Sequence, residues 1–286
     1  MIQFAAPSMI EELKALWLEC FPGDEEYCSF FFERYFSPDS CVVHTGDNGE
    51  VEAAAYIFRG SVRVGDREET VLFLYAGATF KKYRKMGKCS AICRWIADYC
   101  RKNGIGIIVL SVSPSSQSLC EKSGMIPMAN MASATVVREN ISGALPCEKC
   151  DYPSFAQMRG EYLSGDFEIS WTQDTLRYMY EEMQTSGDIV GCTIGGERFY
   201  AAYTVLEDEL LIRETNCPSE ALSALVDAVC VYADYRGRVS IYSKADKPPI
   251  LPDAISTDVF CYAHMWFVDE SLAIPGASWY INLTAE

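Results

Sequence analysis

Histidine is almost missing from this chain, which has two, His44 and His264, in 286 residues. Both lie inside apolar, strand-like runs, where a histidine reads as a satisfied core residue rather than a catalyst. Metal chemistry is equally thin. Cys147-Glu148-Lys149-Cys150 is the only C-x-x-C, and no second pair or histidine follows at zinc spacing, so these thiols read as linker residues and no metal is expected. No run of about 18 apolar residues occurs, so no membrane span is expected. The start, MIQFAAPSMIEEL, lacks the basic and apolar regions of an export signal, and with 13 cysteines this argues for reduced thiols in a cytoplasm. Positive charge is also short. Lys+Arg number 24 against 40 Asp+Glu, a net charge of −16, which argues against nucleic acid or an anionic membrane as partner.

What is present is an ordinary globular composition, 49% hydrophobic and 22% charged, at a length that suits two domains. Its most informative stretch runs from Val71 to Lys102. Val71 to Tyr75 is an apolar run of strand length, and from Lys88 onward Cys89, Ile92, Cys93, Ile96, Tyr99 and Cys100 recur at helical spacing. Between them stand Arg84, Lys85, Met86, Gly87, Lys88 and Cys89. Gly87 lets backbone approach a ligand, and a helix start leaves amide donors without internal partners. With the positive end of the helix dipole, this makes an anion site suited to a phosphate or pyrophosphate. Lys81, Lys82, Arg84, Lys85, Lys88, Arg94, Arg101 and Lys102 crowd the same segment, opposed only by Asp98. A Walker loop would need a glycine where Lys82 stands, and there is no G-x-G-x-x-G here, so neither familiar nucleotide loop fits.

The segment resembles motif A of the GNAT acetyltransferase superfamily, [QR]-x-x-G-x-[GA] at a strand–helix join. Arg84 and Gly87 match, and Cys89 takes the place of the second small residue. The resemblance implies acetyl-CoA as co-substrate, with Gly77, Ala78 and Thr79 offering backbone to the pantetheine arm. Arg84, Lys85, Met86, Gly87, Lys88 and Cys89 would then surround the pyrophosphate, and Ser113 would complete the cofactor set. The order of elements over residues 1–140 follows the family: two helices, a four-strand meander, then helix, strand, helix and strand. An α/β fold with a mixed sheet of α+β type is therefore expected. A capping box at Ser8–Glu11 would start the first helix, and Val62–Val64 would be a strand of its own.

In the family the acceptor amine attacks the thioester directly, and a tyrosine often protonates the leaving thiolate. Cys120 stands at that tyrosine's place and Ser113 at that of a family asparagine, which makes Cys120 the candidate general acid, or else a packing residue beneath the pantetheine. Glu26, Glu33 and Glu214 are conceivable bases. Residues 141–165 read as a linker. Residues 166–286 then repeat part of the order and resemble a second, degenerate GNAT domain that shapes the acceptor site. Its corresponding turn, Asn216-Cys217-Pro218-Ser219-Glu220, has neither arginine nor glycine and carries an acid. Tandem architectures of this kind include proteins similar to the enhanced-intracellular-survival acetyltransferases. The acidic remainder of the chain favours a cationic, amine-bearing acceptor. The implied activity is N-acetyl transfer to a primary amine of a small molecule or peptide, and its alternative is an acyl-CoA-binding module that has lost turnover.

Overall fold

Strand-length apolar runs alternate with amphipathic segments along most of the chain, and the elements follow that pattern. The computed structural model describes the chain apart from residues 111–113, 123, 142, 166, 268–269, 271–278 and 282–286. The first half contains β1 (Ile2–Phe4), α1 (Ile10–Cys20), α2 (Glu25–Arg34), β2 (Cys41–Thr45), β3 (Val51–Val64) and β4 (Arg67–Thr79). It continues with α3 (Lys88–Asn103), β5 (Gly106–Leu110), α4 (Pro114–Lys122) and β6 (Ile126–Arg138). Then come β7 (Cys147–Lys149), α5 (Tyr152–Tyr162), β8 (Ile169–Trp171) and α6 (Gln173–Ser186). The rest is β9 (Gly187–Ile194), β10 (Glu197–Val205), β11 (Glu209–Thr215), α7 (Ser219–Tyr232), β12 (Gly237–Lys244) and β13 (Ser256–Trp266).

Three expectations are corrected. No side chain caps α1, because Pro7–Met9 forms a 3-10 turn that leads straight into it. Val62–Val64 is the end of β3 rather than a separate strand: Gly65, at φ 59°, turns the chain so that Val64 faces Arg67 across a continuous hairpin. Among the strands missing from the sequence reading is β1, which pairs with β2. The expected linker is not irregular throughout, since it holds β7 and α5. Asp151 caps α5 by accepting a hydrogen bond from the Ser154 amide at 2.8 Å, with Pro153 in the first turn.

The described strands join one mixed sheet of 13 in the order β1-β2-β3-β4-β5-β13-β6-β12-β11-β10-β9-β7, with β8 alongside β3. Its centre is an exchange. β13, from the end of the chain, pairs with β5 of the first half, while β6 pairs with β12 of the second. β6 and β13 lie against each other where the two halves meet. One core joins α1, α2 and α6 through Trp17, Phe31, Phe58 and Tyr178. α3 packs on the other face of β2–β5 through Ile92 and Ile96, and α7 closes the second half through Leu225, Val226 and Val229.

Candidate functional site

Parallel pairing between β4 and β5 covers Val71–Leu74 against Gly106–Val109. Along its other edge β4 is bulged: Tyr75 faces Tyr56 and Ala78 faces Ala54, so Ala76 and Gly77 both stand against Ala55. Ala76 takes a left-handed φ of 44°, and Gly77 is exposed. Past Leu74 the pairing with β5 stops, the two parallel strands part, and the backbone of residues 76–79 follows the bulge.

The chain then makes a 3-10 turn at Lys81–Tyr83 and reaches α3 through two more left-handed residues, Lys85 at φ 64° and Gly87 at φ 75°. Gly87 is the N-cap of α3, and no side chain caps that end. The first helical bond runs from the Ala91 amide to the Gly87 carbonyl, so the amides of Lys88, Cys89 and Ser90 face outward. Nothing lies within 4 Å of a Cβ built on Gly87, so the backbone angle rather than crowding calls for glycine.

The side chains here divide. Arg84 donates through Nε to the Thr79 carbonyl at 3.0 Å and ties the loop back to the end of β4. Lys81, Lys82, Lys85 and Met86 are exposed. Lys88 turns inward, its Nζ lying 2.7 Å from Glu52 Oε2, and His44 Nδ1 lies 2.8 Å from the same oxygen. The hydrogen bond from Lys88 holds the Glu52 carboxyl below its ordinary value, while burial and then Lys88 lower His44. The charge of Lys88 is therefore matched by Glu52. Cys89 leans toward the bulge: a Cβ on Gly77 would stand 4.0 Å from its sulfur. Cys93, one turn on, donates a hydrogen bond to Cys89 and holds that thiol below the usual range.

Ser113 lies outside the described residues. Cys120 is on α4, 2% exposed, in the cluster beneath α3, and burial pushes its thiol up to about 11. Of the conceivable bases, Glu26 and Glu33 sit exposed on α2. Glu214 is fully buried and engaged. It accepts from Arg159 Nε at 2.8 Å, Tyr200 at 2.9 Å and Tyr280 at 3.1 Å. His264 is a core residue at 2% exposure, His44 is half-buried, and Phe267, Trp279 and Tyr280 are core as well.

On the opposite face of the sheet, three hydroxyls meet that sequence order does not bring together. Tyr27 of α2 bonds Tyr75 of β4 at 3.0 Å and Tyr178 of α6 at 2.8 Å. Burial holds all three far above the usual phenol value, so each stays a neutral donor. Tyr178 carries no signal in the sequence, because its place depends on how the halves pack. Beside it a polar cleft of about 550 Å³ opens between α2 and the start of α6, with Arg34, Arg59, Asp174 and Arg177 in its lining.

No protein-family model matches the sequence, and no curated protein is a significant match. Solved structures do resemble it. A GCN5-related N-acetyltransferase from Anabaena variabilis matches at TM-score 0.71 and 15% identity, over 96% of this chain and 74% of its own. A conserved protein of unknown function from Enterococcus faecalis, described as a probable N-acyltransferase, matches at TM-score 0.70 and 13% identity, over 95% and 73%. Eis1 from Mycobacterium abscessus matches at TM-score 0.59 and 10% identity, over 94% and 74%. At these identities the likeness establishes the fold: the chain has the architecture of the GCN5-related N-acetyltransferases through both halves.

Proposed function

We propose that this protein, built on the GNAT fold, transfers an acyl group from acetyl-CoA to a primary amine. The observation that carries the reading is the junction of β4 and α3. There a bulged, diverging strand and two left-handed residues lead into an uncapped helix start beside exposed lysines. The amides of residues 88–90 suit a pyrophosphate, and the backbone of Gly77, Ala78 and Thr79 suits the amides of the pantetheine arm. Arg84 holds the loop in shape, and Lys81, Lys82 and Lys85 supply charge from outside. The amine enters from the face that carries Tyr27, Tyr75 and Tyr178, whose neutral hydroxyls orient it. It attacks the thioester carbonyl, loses a proton to water, and the thiolate leaves.

A second reading, an acyl-CoA-binding module without turnover, draws on Cys120. A thiol held near 11 is a poor donor to a leaving thiolate whose own value lies near ~8.5, so Cys120 is better suited to packing than to acid catalysis. Calorimetric titration with acetyl-CoA, followed by a free-thiol assay over a panel of amines, separates the readings. Saturable binding at one equivalent per chain with thiol release supports the transferase. Binding without release supports the module, and no binding overturns both. In the transferase, Cys120→Ala leaves turnover within about threefold, whereas an essential acid would cost ~10²-fold.

A further inference from the structure

The one C-x-x-C of the sequence does not behave as a unit. Cys147 and Cys150 are three residues apart across the end of β7, which points their side chains to opposite faces. Cys150 is fully buried, with its sulfur 3.7 Å from the Asp151 carbonyl. Cys147 instead faces a third cysteine. In the antiparallel pair β7–β9 it stands directly opposite Cys192. The Cys150 amide donates to the Ile189 carbonyl at 2.8 Å, which marks that rung as hydrogen-bonded. Rungs alternate, so Cys147–Cys192, three rungs along, is an open one. Opposed residues on open rungs have Cα atoms about 4.5 Å apart, inside the range a disulfide spans. Both thiols also belong to the same core cluster, Cys192 within it and Cys147 packed against it. Cys147 is half-buried and reachable, whereas Cys192 is 1% exposed.

We propose that Cys147 and Cys192 are a redox modification site, at which a peroxide closes a reversible disulfide that clips β7 onto the rest of the sheet. β7 is the outermost strand at the far end of the sheet order, only three residues long, and it lies on the segment connecting the two halves. Such an edge is where a sheet peels. The Cys147 thiolate attacks one peroxide oxygen and becomes a sulfenic acid as the first water leaves. The Cys192 sulfur then attacks that sulfenic sulfur and expels the second. Two thiols and one peroxide give one disulfide and two waters. Burial pushes the Cys147 thiol up to about 12, so closure is slow at neutral pH and quickens as pH rises.

The test treats the full-length protein with hydrogen peroxide, maps its peptides without reduction, and follows trypsin cleavage after Lys149, whose side chain is half exposed. Expected are a cross-linked peptide pair holding Cys147 and Cys192, and cleavage after Lys149 slowed about tenfold. Dithiothreitol reverses both. The cross-link disappears in Cys147→Ser and persists in Cys217→Ser, which controls for a half-buried thiol packed on the same core cluster. Oxidation of Cys147 to sulfinic acid without the cross-link overturns the site. A cross-link from Cys147 to Cys217 overturns the assignment, and a Cys147–Cys192 cross-link with unchanged cleavage overturns the clip.

Discussion

The two halves build the same junction twice and finish it differently. β11 and β12 run parallel over Glu209–Ile212 and Arg238–Ile241 and then part, as β4 and β5 do. β11 is also bulged, with Glu214 opposite Ala202 and Ile212 opposite Tyr203. Beyond this the likeness ends. Residues 80–87 loop out before α3, whereas 216–218 alone lead into α7. That short turn is spent on internal bonds: Asn216 accepts from the Tyr200 amide at 2.8 Å, and Thr215 accepts from the Cys217 amide at 3.1 Å. Pro218 has no amide to offer, and Glu220 sets a negative charge in the first turn of α7. Past its bulge the second half holds a buried cluster of Arg159, Glu214, Tyr200 and Tyr280, with the Lys244–Glu168 pair. The same framework thus carries two different turns, which differ in loop length and in how far their polar groups are used internally.

The contrast can be broken most forcefully from the second half. Arg159→Met strands the Glu214 carboxylate in a dry interior and costs about 3–5 kcal/mol in urea unfolding, most of which Arg159→Met with Glu214→Leu restores. Neither variant alters acetyl-CoA affinity if this buried cluster serves structure alone. In the first half, Gly87→Glu forces a left-handed acidic side chain into the helix start. Affinity for coenzyme A falls by about 2 kcal/mol, ~30-fold by calorimetry, while Pro218→Glu at the matching place leaves it unchanged. A smaller effect runs the other way. Glu52→Gln releases Lys88 and tightens coenzyme A about threefold, roughly 0.6 kcal/mol, a gain that fades at high salt.

Cys89 sharpens the comparison further. Because Cys93 donates to it, its thiolate forms as pH rises through a value below that of ordinary thiols. Iodoacetamide should therefore label Cys89 ahead of the other cysteines at neutral pH, and coenzyme A should slow the reaction. Cys93→Ala removes the donor, lifts the value and slows labelling at the same pH. Equal labelling of Cys89 and the buried Cys120 would contradict this.

Local signals made much of this legible. The apolar run before Gly77 and the helical spacing after Lys88 placed β4 and α3, and Arg84 with Gly87 marked their junction. The sequence also foretold that the second turn could not match the first, since proline and an acid are visible there. Partnerships across the fold were not legible. Nothing near Lys88 says that Glu52 claims its charge, nor does anything near Tyr27 say that it meets Tyr178. Glu214 looked like a free acid because Arg159 is 55 residues away in the chain. β13 was legible only around His264, because its first residues, Ser256–Asp258, are polar and exposed, and pairing with β6 makes them a strand.

That strand has a consequence for how the molecule is made. β5 is complete at Leu110, but its neighbour in the sheet is not synthesised until Ser256–Trp266. While the ribosome works through the intervening residues, the nascent first half holds an open edge at β5. β6 is available early and is the natural temporary occupant, yet in the finished protein it belongs next to β12. The chain must either keep that edge waiting or release a provisional strand at the end. Truncation before β13 therefore leaves the proposed acetyl-CoA half unfinished as well as the second half, and this late strand is what commits both to their final form.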